Sequence, residues 1–143
     1  MTDTQHLTFL PIGNDGWTHA DTLNYDIAPL DGIANSGISV LLHTEGYAYE
    51  NIALGITIRQ DTSLVYHEQR SFRLDRTNSK SGIGRRYDYT LPIGNVTLND
   101  TLPTTITLTQ QLDQPALTGI REIGIRMSKP LPKPGEAVWK VEW

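Results

Sequence analysis

No part of the chain narrows its possible folds more than residues 46–59, GYAYENIALGITIR. From Ile52 to Ile58 the side chains alternate: Ile52, Leu54, Ile56 and Ile58 project to one side, and Ala53, Gly55, Thr57 and Arg59 to the other. An apolar period of two, rich in β-branched residues, specifies a strand with one buried face. Four large aliphatics in succession on that face predict a central strand with all four side chains buried. Tyr47 and Tyr49 precede it on alternate positions and share a face.

The rest of the chain must supply strands to pack against it. Residues 6–12 read as a first strand, with Leu7 and Phe9 on one face, stopped or forced to an edge by Pro11. The turn cluster at 13–16 leads to Trp17 and then to a strand at 23–27; Ile38, Val40 and Leu42 lie in phase on another at 37–43. Beyond the central strand, 64–66 and 69–76 read as separate segments, the second carrying Phe72 and Leu74 two apart. Residues 77–84, TNSKSGIG, are small, polar and Gly-rich, a loop composition. Tyr87, Tyr89 and Leu91 share a strand face, and in 104–112 Ile106 and Leu108 face in while Thr105, Thr107 and Thr109 face out. Ile123, Ile125 and Met127 form the next half-buried set. After the proline connector at 130–135, the chain closes on Ala137, Trp139, Val141 and Trp143, which share a face.

No window of this sequence keeps a helical period. Strands separated by turn signals predict an all-β fold: an antiparallel β-sandwich, jelly-roll-like, of roughly eight or nine strands. No internal repeat and no shift in composition divides the chain, so residues 1–143 are expected to form a single domain with Met1–Gln5 loose.

A net charge of −4 argues against general nucleic-acid binding, which needs a dense cationic face. No apolar run approaches the roughly 18 residues of a membrane span, and the polar, acidic start does not read as a signal peptide. There is no cysteine, which removes disulfides, thiolate catalysis and zinc–thiolate sites. That fits a cytosolic protein, an envelope protein that never relied on disulfides, or a lipoprotein whose lipid-bearing Cys precedes residue 1.

The histidines His6, His19, His43 and His67 are scattered, with no ligand-spaced pair. His43-Thr44-Glu45 and His67-Glu68 would hold a metal only if folding brought them together. No serine occupies a G-x-S-x-G elbow, and the carboxylates show no spacing that fixes an acid/base pair. Gly82-Ile83-Gly84 lacks the third glycine and following helix of a dinucleotide fingerprint. The expectation is therefore no catalytic residue, no metal and no cofactor. For binding, Tyr47 and Tyr49 offer amphipathic aromatic area, and Lys80, Arg85 and Arg86 flank the glycine loop where they would grip a carboxylate or phosphate. Trp17, Trp139 and Trp143 are further aromatic candidates, with core packing the better reading for at least one of the last two.

Three stretches together resemble the GldH family of gliding-motility-associated lipoproteins of Bacteroidetes. Trp17 follows a Gly-rich turn. Tyr47, Tyr49, Asn51 and Ile52 fit a Y-P-Y-x-N-L-type strand, and Leu117, Gly119, Ile120, Ile123, Gly124, Ile125 and Arg126 fit an L-x-G-I-x-x-[IV]-G-[IL]-R stretch near the end. Leu74-Asp75 and the Gly82–Gly84 loop match in order between them. Ala48 departs from the usual proline, no tryptophan accompanies the loop, and Leu112-Asp113 replaces a methionine–arginine pair. None of these motifs is catalytic.

The resemblance implies a lipoprotein held in the cell envelope by an N-terminal acylated Cys and facing the periplasm. It implies a non-enzymatic binding or scaffolding part of a gliding or associated secretion machinery, with envelope proteins as partners and the membrane reached only through the lipid. The competing reading is a carbohydrate-binding module, which calls for exposed, coplanar aromatics beside a groove. A hydrolase comes third and needs carboxylates or histidines clustered in a pocket. The expected recognition surface is the rim formed by Tyr47, Tyr49 and the Lys80–Arg86 loop.

Overall fold

The computed structural model describes residues 4–74, 86–112 and 114–130; Lys80, Arg85, the Gly82–Gly84 loop and the closing strand at 136–143 lie outside them. The described residues form ten strands and no helix: β1 (Thr4–Pro11), β2 (Trp17–Thr18), β3 (Leu23–Ile27), β4 (Asn35–Glu45), β5 (Asn51–Gln60), β6 (Ser63–Arg73), β7 (Arg86–Thr97), β8 (Thr104–Gln110), β9 (Ala116–Leu117) and β10 (Ile120–Ser128). One four-stranded sheet runs β1-β10-β4-β7 and the other β3-β8-β5-β6, while β2 and β9 form a short pair. Every pairing is antiparallel, and the two sheets face each other as a sandwich.

The alternation in β5 translates directly into burial. Ile52, Leu54, Ile56 and Ile58 are all fully buried between the sheets, each removal from water contributing about 1.5–3 kcal/mol. Ile106 and Leu108 of β8 continue that face, opposite Ile38, Val40 and Leu42 of β4 and Ile123, Ile125 and Met127 of β10. Tyr25 joins the layers: it is buried on β3, and its hydroxyl donates to the Ile123 carbonyl of the other sheet at 2.7 Å. Burial pushes its phenol pKa up.

Several elements differ from expectation. The segments 64–66 and 69–76 are one strand, β6, which follows β5 through a tight turn where Asp61 takes a φ of 58°. The unbroken strand is hard to see in the sequence because β6 is an edge, exposed along most of its length, so its polar run 67–71 imitates a loop. In β1 the inward face belongs to Leu10, opposite Ile123, whereas Leu7 is 47% exposed and Phe9 lies outside the sandwich across Gly124. Thr4 and Gln5 belong to β1 rather than to a loose terminus. β7 runs on to Thr97 through Pro92 and Gly94, with its pairing to β4 displaced between Ile38 and Ser39.

The two ends of the sandwich are built differently. At one, Gln60 is buried and its amide donates to the Asn99 carbonyl (2.9 Å) and Thr104 Oγ1 (3.2 Å), while its Oε1 accepts from the Asn99 backbone N–H (2.9 Å). Asp100 Oδ2 accepts from the Gly32 N–H at 2.8 Å beside it. At the other end main-chain bonds converge: Glu45 N–H to Gly119 O (2.8 Å), Leu74 N–H to Glu50 O (2.7 Å), Gln111 N–H to Ala53 O (2.8 Å) and Ile12 N–H to Arg121 O (3.0 Å). Side chains join them: the buried Gln110 amide donates to the Trp17 (3.3 Å) and Gln114 (3.1 Å) carbonyls, and the Thr44 hydroxyl donates to the Tyr87 carbonyl (2.9 Å).

Candidate functional site

The Gly119 end carries two clefts and a concentration of charge. Its architecture rests on the turn at 46–50 between β4 and β5. Gly119 has a φ of +87°, a left-handed conformation that glycine adopts without penalty. A Cβ there would stand 2.7 Å from both the N and Cα of Tyr47, so the two backbones touch. Gly124 is constrained similarly from the other side, since a Cβ would meet the Phe9 ring at 2.6 Å.

This packing decides the fate of the tyrosines. Tyr47 is turned into the core instead of out to a rim, and its hydroxyl donates to the Asn51 carbonyl at 2.9 Å. Burial, and then the neighbouring Tyr49, push its pKa up. Tyr49 is half-buried and meets Tyr47 edge-on, with ring centroids 5.6 Å apart. Of the pair, only Tyr49 keeps surface for an outside contact. Trp17 is also a core residue, its Nε1–H donating to the Asp21 carbonyl at 2.9 Å.

Arg86, by contrast, is displayed. It opens β7 directly across from Glu45, and its Nε donates to Glu45 Oε1 at 3.1 Å on the surface. Glu45 lies two residues before Tyr47, so the start of β7 and the tyrosine turn do adjoin. The preceding strand arrives at the same place, because Leu74 bonds to Glu50. The geometry thus brings Tyr49 and Arg86 to one end; Lys80 and Arg85 fall outside the described residues.

Sequence reasoning missed several charged groups here. Arg121 occupies the irregularity in β10 between Ile120 and Glu122, and its guanidinium stands 3.6 Å from Asp88 of β7, a Coulombic contact longer than a good hydrogen bond. His43 Nδ1 lies 2.8 Å from Glu122 Oε2, and the Phe9 ring packs against the imidazole with centroids 4.7 Å apart. These residues are far apart in sequence, and the antiparallel register alone assembles them. A cleft of about 380 Å³ opens beside them, lined by Ile12, Gly13, Asn14, Glu45, Gly119, Ile120 and Arg121. A second, of about 340 Å³, shares Ile12 and Gly13 and extends to Trp17 and Leu23. Acid and base alternate around this end, which suits a polar surface of mixed charge more than a single small ion.

For metal chemistry, His43 and His67 lie on different sheets, His67 bonded to Thr57 on the outer face of the β5 sheet. Among the described residues no three His, Asp or Glu side chains converge on a point, and there is no helix long and apolar enough to cross a membrane.

No curated protein matches the chain. Among solved structures it is similar to the carbohydrate-binding module CBM36 in complex with calcium and xylotriose, at 14% identity and a TM-score of 0.47, over 89% of this chain and 93% of that one. It is also similar to part of the exo-β-1,3-galactanase of Phanerochaete chrysosporium (14% identity, TM-score 0.43, 85% of this chain and 26% of that one). A third likeness is to dimeric latent PorU of Porphyromonas gingivalis (11% identity, TM-score 0.35, 94% and 14%). Likenesses this distant carry no functional argument. The family model for the GldH lipoprotein, by contrast, matches residues 8–127, from the middle of β1 almost to the end of β10. The chain belongs to the GldH lipoprotein family.

Proposed function

We propose that the chain is the folded part of a non-enzymatic envelope lipoprotein that faces the periplasm. It serves as a binding or scaffolding component of a gliding or associated secretion assembly. Its recognition rim is the end bearing Tyr49, Glu45, Arg86 and Arg121. The observation that carries the reading is the arrangement at that end: main-chain bonds and the side chains of Thr44, Tyr47 and Gln110 hold the fold, while Glu45, Arg86 and Arg121 stand exposed outside that closure. Surface ion pairs of this kind add little to folding, but at an interface they steer encounter and fix orientation. Family membership supports the setting.

The test is a charge reversal of Arg86 and Arg121 to Glu, introduced into the source organism in place of the wild-type gene. The expected result is loss of motility or secretion with the lipoprotein still present at normal level and its melting temperature within a few degrees of wild type. Normal function in a stably folded double variant refutes the rim. Mass spectrometry of the protein from its own cells tests the anchor separately, an acylated Cys at the mature N-terminus being the expected species. The carbohydrate-module reading calls for exposed, coplanar aromatics; among the described residues Tyr47 and Trp17 are buried, Tyr49 stands edge-on to Tyr47, and of the nearly parallel Tyr87–Tyr89 pair (27°) Tyr89 is buried.

A further inference from the structure

Among the described residues the two sheets leave four edge strands, and edges invite pairing with another chain unless something blunts them. Three of the four are blunted here. β1 carries Pro11 and an irregular register between Thr4 and His6. β7 contains Pro92 and Gly94 and departs from regular pairing between them. β3 is only five residues long. The fourth, β6, runs for 11 residues, SLVYHEQRSFR, without proline or glycine, and its one irregularity lies at its start, where the pairing skips Val65. Among the described residues no strand pairs with it on the far side.

What β6 does carry is inward-pointing charge. The register with β5 puts Tyr66, Glu68, Arg70 and Phe72 on the same face as Ile58, Ile56, Leu54 and Ile52. Tyr66 donates its hydroxyl to Glu68. Arg70 lies over the Phe72 ring, 5.2 Å from its centroid, and donates to the Ile93 carbonyl of β7 at 2.5 Å. Arg70 also donates to the Pro92 carbonyl at 3.3 Å and stands 3.9 Å from Glu68 of its own strand, too far for a hydrogen bond, so some of its five N–H donors remain for a second carboxylate. Such charges repel a generic apolar strand. They are nonetheless opposite in sign and two residues apart, which makes the strand complementary to itself.

We propose that β6 is a homodimer edge, pairing antiparallel with β6 of a second copy about a two-fold axis at Gln69. In that register Glu68 faces Arg70 of the other copy and Arg70 faces its Glu68, while Tyr66 faces Phe72 in both directions. The result is one continuous eight-stranded sheet. Moving the axis to residue 68 sets Glu68 against Glu68, and moving it to residue 70 sets Arg70 against Arg70, both repulsive. Of the registers centred between Glu68 and Arg70, only the one at Gln69 pairs opposite charges, a match that an unrelated extended strand has no reason to offer.

The absence of cysteine allows a clean test, since any introduced thiol is the sole one. Gln69 and Ser71 are both exposed, and the register with β5 puts them on the outer face of the sheet, so neither substitution reaches the core. On oxidation, Gln69→Cys is expected to give a covalent dimer. Ser71→Cys is expected to stay monomeric, because Ser71 faces His67 of the other copy and its own counterpart lies too far away for a disulfide. Sedimentation equilibrium of the wild type should show a reversible dimer. Arg70→Glu should weaken it about tenfold, and the swap Glu68→Arg/Arg70→Glu should restore most of the affinity. A wild type that stays monomeric at millimolar concentration overturns the proposal. So does Ser71→Cys cross-linking as readily as Gln69→Cys, a result independent of whether the charge variants fold well.

Discussion

The two ends of the sandwich are held by different mixtures of bonds. At the Gln60 end a buried side chain satisfies main-chain groups of the β7–β8 connection, with the Leu98 N–H to Ala34 carbonyl bond and Asp100 beside it. At the Gly119 end two backbones touch and several main-chain bonds converge, with Thr44, Tyr47 and Gln110 tied to carbonyls beneath them. Glu45, Arg86 and Arg121 take no part in that closure and stand exposed, which makes this end the better place for recognition.

The core between the ends sets the scale for testing this comparison. Leu54→Asp places an unpaired charge between the sheets and should cost more than about 4 kcal/mol, seen as loss of cooperative unfolding; Thr57→Asp on the outer face should cost far less. The comparison itself turns on Gly119. Gly119→Ala forces a left-handed φ on alanine and drives its Cβ into Tyr47, for a loss of about 3 kcal/mol in urea denaturation. If that variant unfolds at the wild-type urea midpoint, the end is not held by backbone contact.

At the opposite end, Gln60→Ala strands the Asn99 N–H, leaves the Asn99 carbonyl only its bond from Leu102, and should cost about 2–3 kcal/mol. A cost below that of a surface substitution would show that the two ends do not differ in kind. The middle of the molecule offers a titration. Burial raises the phenol pKa of Tyr25 and Tyr47, and that of Tyr66 to about 12, with the hydrogen bond to Glu68 adding to it. A raised folded pKa means the unfolded chain loses its proton first. Stability is thus complete below about pH 10 and falls as pH rises beyond it. Urea midpoints measured across that window should decline, and Tyr25→Phe should lower the midpoint at neutral pH by removing the bond to Ile123 while flattening the alkaline decline.

The smallest effect belongs to the proposed rim. Arg86→Ala removes an exposed pair with Glu45 and should change stability by less than about 0.5 kcal/mol. A larger loss would make Arg86 a structural residue and move recognition elsewhere.

The family motifs turn out to describe the fold. Leu117, Ile120, Ile123 and Ile125 are core residues, Gly119 and Gly124 admit neighbours too close for a side chain, and Tyr47 is tied to Asn51. A sequence signature made mostly of such residues identifies the architecture, and of the proposed rim it includes Tyr49 alone.

By itself the sequence determined the class of fold and the inward face of its main strands. Burial follows a period of two that is written in consecutive residues, as in Ile52 to Ile58 and Thr104 to Gln110. It could not show β6 as one strand, because an exposed edge has no apolar face to alternate with. Nor could it tell that Tyr47 turns inward, where Gly119, more than seventy residues away, packs against its backbone, while Arg86 stays out opposite Glu45. The pairing of Arg121 with Asp88 and of His43 with Glu122 was equally hidden. Side-chain burial is a local property of a strand, whereas the company a side chain keeps is fixed by strand order and register, which only the tertiary structure decides.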